Sequence, residues 1–167
     1  MGLGRTMAIG MQGHSKWANG LLLDAAENLT PPQLDADVPG AYGTIRRIFV
    51  HMMGAQRSWL RRWQELDPIA PADEANFPTI ESIRSAWESL DSETVAYLET
   101  LSESDLEQVI HLKFWSGEED NAPRWQAIVH QAFHQHQHRG ELAAVLTTFG
   151  HSPGELDVLD YFDTLIS

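Results

Sequence analysis

The chain contains no cysteine. That excludes disulfide scaffolds, thiolate metal sites and cysteine nucleophiles, so any metal site must be built from histidine and carboxylate ligands. Basic residues are scarce as well: 11 Lys and Arg stand against 24 Asp and Glu, for a formal net charge of −13. A non-specific duplex-DNA binder needs basic side chains to displace phosphate counterions, so that class is excluded too. No apolar run reaches the roughly 18–20 residues needed to cross a bilayer. The opening segment, MGLGRTMAIGMQGHSKW, lacks the long apolar stretch and small-residue cleavage site of a signal peptide. These absences predict a cytoplasmic protein with neither nucleic acid nor membrane as partner.

What is present is ordinary globular usage. The 167 residues are 43% apolar and 21% charged, which suits one domain over residues 1–167 with a real core. The acidity is local. Residues 64–120 hold 15 acids and two bases, Arg84 and Lys113, whereas the remainder of the chain is balanced. Residues 41–63 hold five arginines and no acid. A solvated acidic surface and a local basic one follow, the simplest role of both being solubility and charge matching within the molecule.

Four long helical stretches are predicted, punctuated by Pro, Gly and Asp. The first covers residues 6–29 and stops before Pro31 and Pro32; its glycines at 10, 13 and 20 weaken it. After a linker, the second covers residues 42–66, with Ile48, Met52, Ala55 and Trp59 as one buried stripe. The third covers residues 79–101, with Thr79 as cap and Ile83, Trp87, Leu90, Thr94 and Leu98 facing inward. Ser102 and Asp105 form a partial capping pattern. Residues 109–115 are β-branched and aromatic and read as a strand or hairpin arm. The fourth helix opens at Pro123 and closes at Gly150. The fold class is therefore all-α, a four-helix bundle with a short β-hairpin before the last long helix.

The chemistry concentrates on that last helix, where four of the eight histidines fall within residues 130–138. On a helix His130, His134 and His138 stack one turn apart while His136 points nearly opposite. His134 and His138 share a stripe with Ala127, Gln131, Val145 and Phe149. Two adjacent imidazoles in a bundle core are costly unless each ring nitrogen finds a partner. A metal supplies one, and two His at i, i+4 can chelate a single ion. Hydrogen-bonded core histidines or solvent-facing ones are the alternative. A third ligand should come from another helix, with His14, His51, His111, His130 and His151 available. His51 stands out because it lies mid-helix beside the buried stripe of the second helix.

His51, followed by Trp125-x-x-x-x-His130-x-x-x-His134-x-x-x-His138-Arg139-Gly140, resembles the DinB/YfiT-like superfamily of bacterial metal-binding four-helix bundles. The closing segment LTTFGHSPGELD, residues 146–157, and the early Trp17-Ala18-Asn19 resemble it as well. The resemblance implies a DinB-like bundle with His51, His134 and His138 as three metal ligands. Glu141 stands where the family often has Gln. It could anchor a ligand imidazole, bind a metal-held water or sit at the surface. His130 is a candidate for a fourth ligand, a supporting group or a substrate contact. Arg139 is a candidate anion clamp, although structural hydrogen bonding is its more common use.

An ion on three histidines keeps open coordination positions, as catalytic sites do. Its bound water approaches a pKa of roughly 7, giving hydroxide for hydrolysis; alternatively an exogenous thiol binds as thiolate. The resemblance implies the second, since some relatives look like transferases or isomerases that use low-molecular-weight thiols such as bacillithiol or mycothiol. The expectation is a metal-dependent enzyme acting on a small-molecule substrate by thiol-dependent S-transfer. The alternatives are a metal-dependent hydrolase or a non-catalytic metal- or ligand-binding stress-response protein. Zinc or nickel leads among divalent ions, with iron or manganese as alternatives. The last helix also carries Trp125, Val129, Ala132, Phe133 and Ala143 on a second side, which the hairpin covers or a homodimer buries; the resemblance favours the homodimer.

Overall fold

A computed structural model of the chain describes residues 2–166. In chain order it comprises α1 (Leu3–Ala26), α2 (Pro31–Leu34), α3 (Ile45–Trp63), a 3-10 turn (Glu74–Asn76), α4 (Ile80–Thr100), α5 (Glu103–Glu107), β1 (Val109–Lys113), β2 (Glu119–Pro123), α6 (Arg124–Thr148) and α7 (Val158–Thr164). The long helices α1, α3, α4 and α6 form a four-helix bundle in which α1 and α3 each pack against both α4 and α6. The strands pair antiparallel with Val109 opposite Pro123. No helix among the described residues is long and apolar enough to cross a membrane.

The predicted inward stripe of α4 is buried throughout, from Ile83 to Leu98. On α3 the stripe divides: Ile48 and Met52 are buried, whereas Ala55 and Trp59 are half-buried because they face a cleft. The helix ends follow local chemistry. Thr79 Oγ1 accepts from the Ser82 backbone N–H at 3.1 Å, and Ser82 Oγ accepts from the Thr79 N–H in return, a reciprocal cap. Ser102 and Asp105 cap α5 in the same manner. The expected second helix begins at Ile45 rather than residue 42, because Thr44 caps it through the Arg47 N–H. Gly150, at φ +85°, terminates the last long helix.

Three further features depart from expectation. The first helix ends at Ala26, and Thr30 with Pro31 opens the short α2 instead of closing a longer α1; Pro suits a first helical position as well as a stop. Pro123 ends β2 and serves as the N-cap of α6 rather than its first residue. Residues 158–164, for which no helix is expected, form α7 and dock on α1. The seat is glycine: a Cβ on Gly13 would lie 2.0 Å from the Tyr161 hydroxyl, and one on Gly10 would touch the Phe162 ring at 3.7 Å. The glycines that weaken the first helix as a sequence signal make room for the last one.

Polar side chains also set the register of the bundle. Gln12 of α1 and Gln56 of α3 both donate to Oδ1 of Asp91 on α4, at 3.0 and 2.9 Å. Gln56 Nε2 also reaches Thr94 Oγ1 at 3.2 Å, and Trp87 Nε1 donates to Gln56 Oε1 at 2.9 Å. All five are buried, so a slip of any helix would strand several of them without partners. Gln135 of α6 donates to the Met52 carbonyl at 2.7 Å, which joins α6 to α3 beside the histidines.

Candidate metal centre

The α3–α6 interface brings together His51, His134 and His138, each of which offers a ring nitrogen within 4.8 Å of the others. Nε2 of His51 and Nε2 of His134 face each other at 3.1 Å. The ring centroids are 5.1 Å apart for His51 and His134, and 4.8 Å apart for each of the other two pairs. The i, i+4 spacing on α6 puts two rings on one face, and the Gln135 bond to Met52 holds that face against the turn of α3 that carries His51.

Burial holds the His134 imidazole at about 4, and His138, His51 and His130 push in the same direction. His51 is lowered as well, by burial first and then by His138 and Arg47, against an opposing pull from Glu141. Both rings are therefore neutral at neutral pH, which is the form that ligates metals. Nitrogens bound at about 2.0–2.1 Å in a tetrahedral site lie about 3.3 Å apart, close to the His51–His134 separation. The donor set fits one divalent ion on three imidazoles.

The supporting groups come from α6 and from the segment just before α3. Glu141 Oε2 lies 2.7 Å from His138 Nδ1, leaving the other ring nitrogen for the cluster. Glu141 Oε1 accepts the backbone N–H of Tyr42, just before α3. The Tyr42 ring covers His51 at 4.4 Å and meets His138 edge-on at 5.4 Å.

The cluster opens onto a cleft of about 470 Å³ whose wall includes Tyr42, Arg47, Trp59, Arg62, Phe114 and Trp115. His130 lines it too, exposed, with its ring tilted against Trp59 at 4.7 Å and stacked 6.4 Å from the ring of His134.

The other candidates lie elsewhere. Arg139 is buried, faces α1 and donates to Ser15 Oγ at 3.2 Å. His14 is buried with its Nε2 at 2.9 Å from the Leu156 carbonyl, tying the C-terminal segment to α1. His111 contacts Asn121 and Glu119 across the hairpin, and His136 is exposed on α6. Sequence reasoning missed Tyr42, Arg62, Phe114 and Trp115 as cleft residues. The one available signal was the acid-free run of arginines across residues 41–63.

The DinB family model matches residues 8–165. Among curated proteins none matches the chain. Among solved structures, a similar one is YfiT from Bacillus subtilis, described as "a probable metal-dependent hydrolase with an unusual four-helix bundle topology". The two are 18% identical over 89% of each chain, with a TM-score of 0.65; at that identity the likeness is one of fold.

Proposed function

The chain belongs to the DinB family, and from its histidine cluster we propose that it is a metal-dependent hydrolase acting on a small molecule. His51, His134 and His138 hold one divalent ion, for which zinc or nickel suits an all-imidazole donor set. The carrying observation is the convergence of three imidazoles, with the His51 and His134 nitrogens 3.1 Å apart and both of these rings on the wall of a cleft of about 470 Å³. When bound, such an ion supplies Lewis acidity and lowers the pKa of coordinated water.

The chain's own residues do the rest. Glu141 accepts from His138 Nδ1 and so fixes that ring's tautomer and orientation. Tyr42 shields two of the rings from bulk water. His130, exposed in the cleft beside His134, is placed to carry a proton on a ring nitrogen to or from the substrate. Arg139 keeps α6 seated on α1 and takes no part at the cleft.

Thiol-dependent S-transfer is the second reading. It draws on the same open donor set, to which an external thiol could add its sulfur. A homodimer belongs to the proposal as well, through the side of α6 that exposes Trp125 and Phe133; a monomeric sedimentation mass would remove it.

The test begins with metal analysis of the purified full-length chain and of His134→Ala. One equivalent of a divalent ion in the first and a large loss in the second are expected. A panel of esters, amides and phosphoesters, with and without chelator, then separates hydrolysis from no turnover. Cobalt-substituted protein whose visible spectrum changes on adding a thiol, with conjugation but no hydrolysis, would favour S-transfer. Full metal content in His51→Ala would overturn the ligand assignment.

A further inference from the structure

Arg62 brings a permanent positive charge to the wall of the cleft. Its guanidinium carbon lies 4.7 Å from the centre of the Trp59 ring and 4.5 Å from that of Phe114. The cation is thus held against two aromatic rings, one from α3 and one from the turn after β1. Its Nε donates to the Lys113 carbonyl at 3.1 Å, which fixes the plane of the fork and uses one of its five N–H donors.

Among the described residues no carboxylate pairs with it. Asp67, which lies nearby in sequence, pairs with Lys113 Nζ at 3.4 Å. Glu65 reaches toward Arg124. Glu74 is the one acid on the cleft wall among the described residues, and its field acts on Arg46. Burial alone pulls the Arg62 guanidinium down from its usual range, with no acid pulling it back up.

A cation half-buried between aromatic rings, with spare donors toward a cleft and no counter-charge, is matched to an anion that arrives from outside. The ring contacts also place it. Arg62 lies on Trp59, Trp59 touches His130 at 4.7 Å, and His130 stacks 6.4 Å from His134. Along α3, Arg62 follows His51 by eleven residues, roughly 16 Å of rise between their backbones. A group held by Arg62 is therefore remote from the three imidazoles.

We infer that Arg62 anchors an oxyanionic group, a carboxylate or phosphate-type anion, carried by the substrate at the end away from the bond presented to the histidines. This rests on the metal-centre reading for what happens at the other end, but the anchor itself does not need the metal. The substrate class is then an elongated organic anion with an apolar middle, which Trp59 and Trp115 flank. Arg47, the other cation on the wall, lies over the Tyr42 ring at 5.5 Å, near the histidines.

The experiment is isothermal titration of the full chain with benzoate, phenylphosphonate and neutral benzamide. Each is run on zinc-loaded protein and on protein stripped by chelator, so that binding on the metal is separated from binding on Arg62. In the stripped protein an anionic probe should bind at least about ten-fold more tightly than benzamide. Which anion binds better identifies the carboxylate or the phosphate class. Arg62→Gln should abolish the preference while leaving benzamide affinity within about two-fold, which also reports an intact cleft. Arg62→Lys should retain part of it, because the charge stays and the fork is lost. No preference in the stripped wild type, or a preference that survives Arg62→Gln, overturns the anchor. A preference seen only with zinc overturns it too and leaves the metal centre standing. An Arg62-dependent preference in a chain that retains no zinc upholds the anchor and rejects the metal centre.

Discussion

Glu141 Oε2 lies 2.7 Å from His138 Nδ1, and the other oxygen of that carboxylate accepts the Tyr42 N–H. One side chain thus orients a ring of the histidine cluster and fastens the segment whose aromatic ring covers it. Carboxylates behind metal-bound imidazoles typically change metal affinity by about 10–100-fold. Glu141→Ala should weaken zinc binding by that range in a chelator competition. Glu141→Gln, whose amide oxygen can still accept one of the two hydrogen bonds, should lie between it and wild type. Equal affinity in all three would assign Glu141 to the surface.

Metal removal should register in stability. An ion that binds only the folded chain, at 100 times its Kd, adds about 2.7 kcal/mol. For a chain of this size that corresponds to roughly 5–10 °C in Tm. Scanning fluorimetry should show a fall of that order on adding chelator and recovery with zinc. His51→Ala and His134→Ala should melt at one temperature with or without chelator. A wild-type Tm indifferent to both reagents would count against the site.

How much of this was legible beforehand depends on the range of the contact involved. The pairing of His134 with His138 follows from helical spacing, and mid-helix His51 could be singled out beside a buried stripe. Glu141 was visible as a residue, but its three possible roles are separated only by the rotamer that brings Oε2 to His138 Nδ1, and its bond to the Tyr42 N–H is a long-range contact without local signal. Arg62 and Phe114 meet because the hairpin folds back on α3, a contact without local periodicity. The helix α7 was missed for a related reason: it is short, and its seat is made by Gly10 and Gly13 at the far end of the chain. The Gln12, Gln56 and Asp91 network was equally invisible, since its members come from three helices.

Two helical glycines should respond to alanine in opposite ways. A Cβ on Gly140 of α6 meets nothing within 4 Å, so Gly140→Ala should stabilise by about 0.5–1 kcal/mol through helix propensity. On Gly54 of α3 the Cβ would lie 2.9 Å from the Ala72 Cβ and 3.4 Å from its backbone nitrogen. The loop that walls the cleft must then retreat. Gly54→Ala should forgo the propensity gain and lose up to about 1–2 kcal/mol net. Denaturant midpoints decide, and stabilisation by Gly54→Ala would mean that the loop yields freely.

Asp91 sets a pH dependence of stability. Burial raises its carboxyl from 3.8 to about 6, against the opposing hydrogen bonds from Gln56 and Gln12. Below about pH 4 the group is protonated whether the chain is folded or unfolded, and burial costs little. Between pH 4 and 6 the unfolded chain ionises while the folded one keeps its proton, so stability falls as pH rises. Above about pH 6 both states are charged and the penalty is constant, at most about 3 kcal/mol for a shift of this size. Asp91→Asn retains an oxygen to accept from Gln12 and Gln56 and carries no charge. Its advantage over wild type should be near zero at pH 4 and reach about 1–3 kcal/mol at pH 7. Urea midpoints at several pH values measure it. A gain that does not vary with pH would mean that the carboxylate is solvated in the folded chain, and the Gln12, Gln56 and Asp91 network would then be open to water.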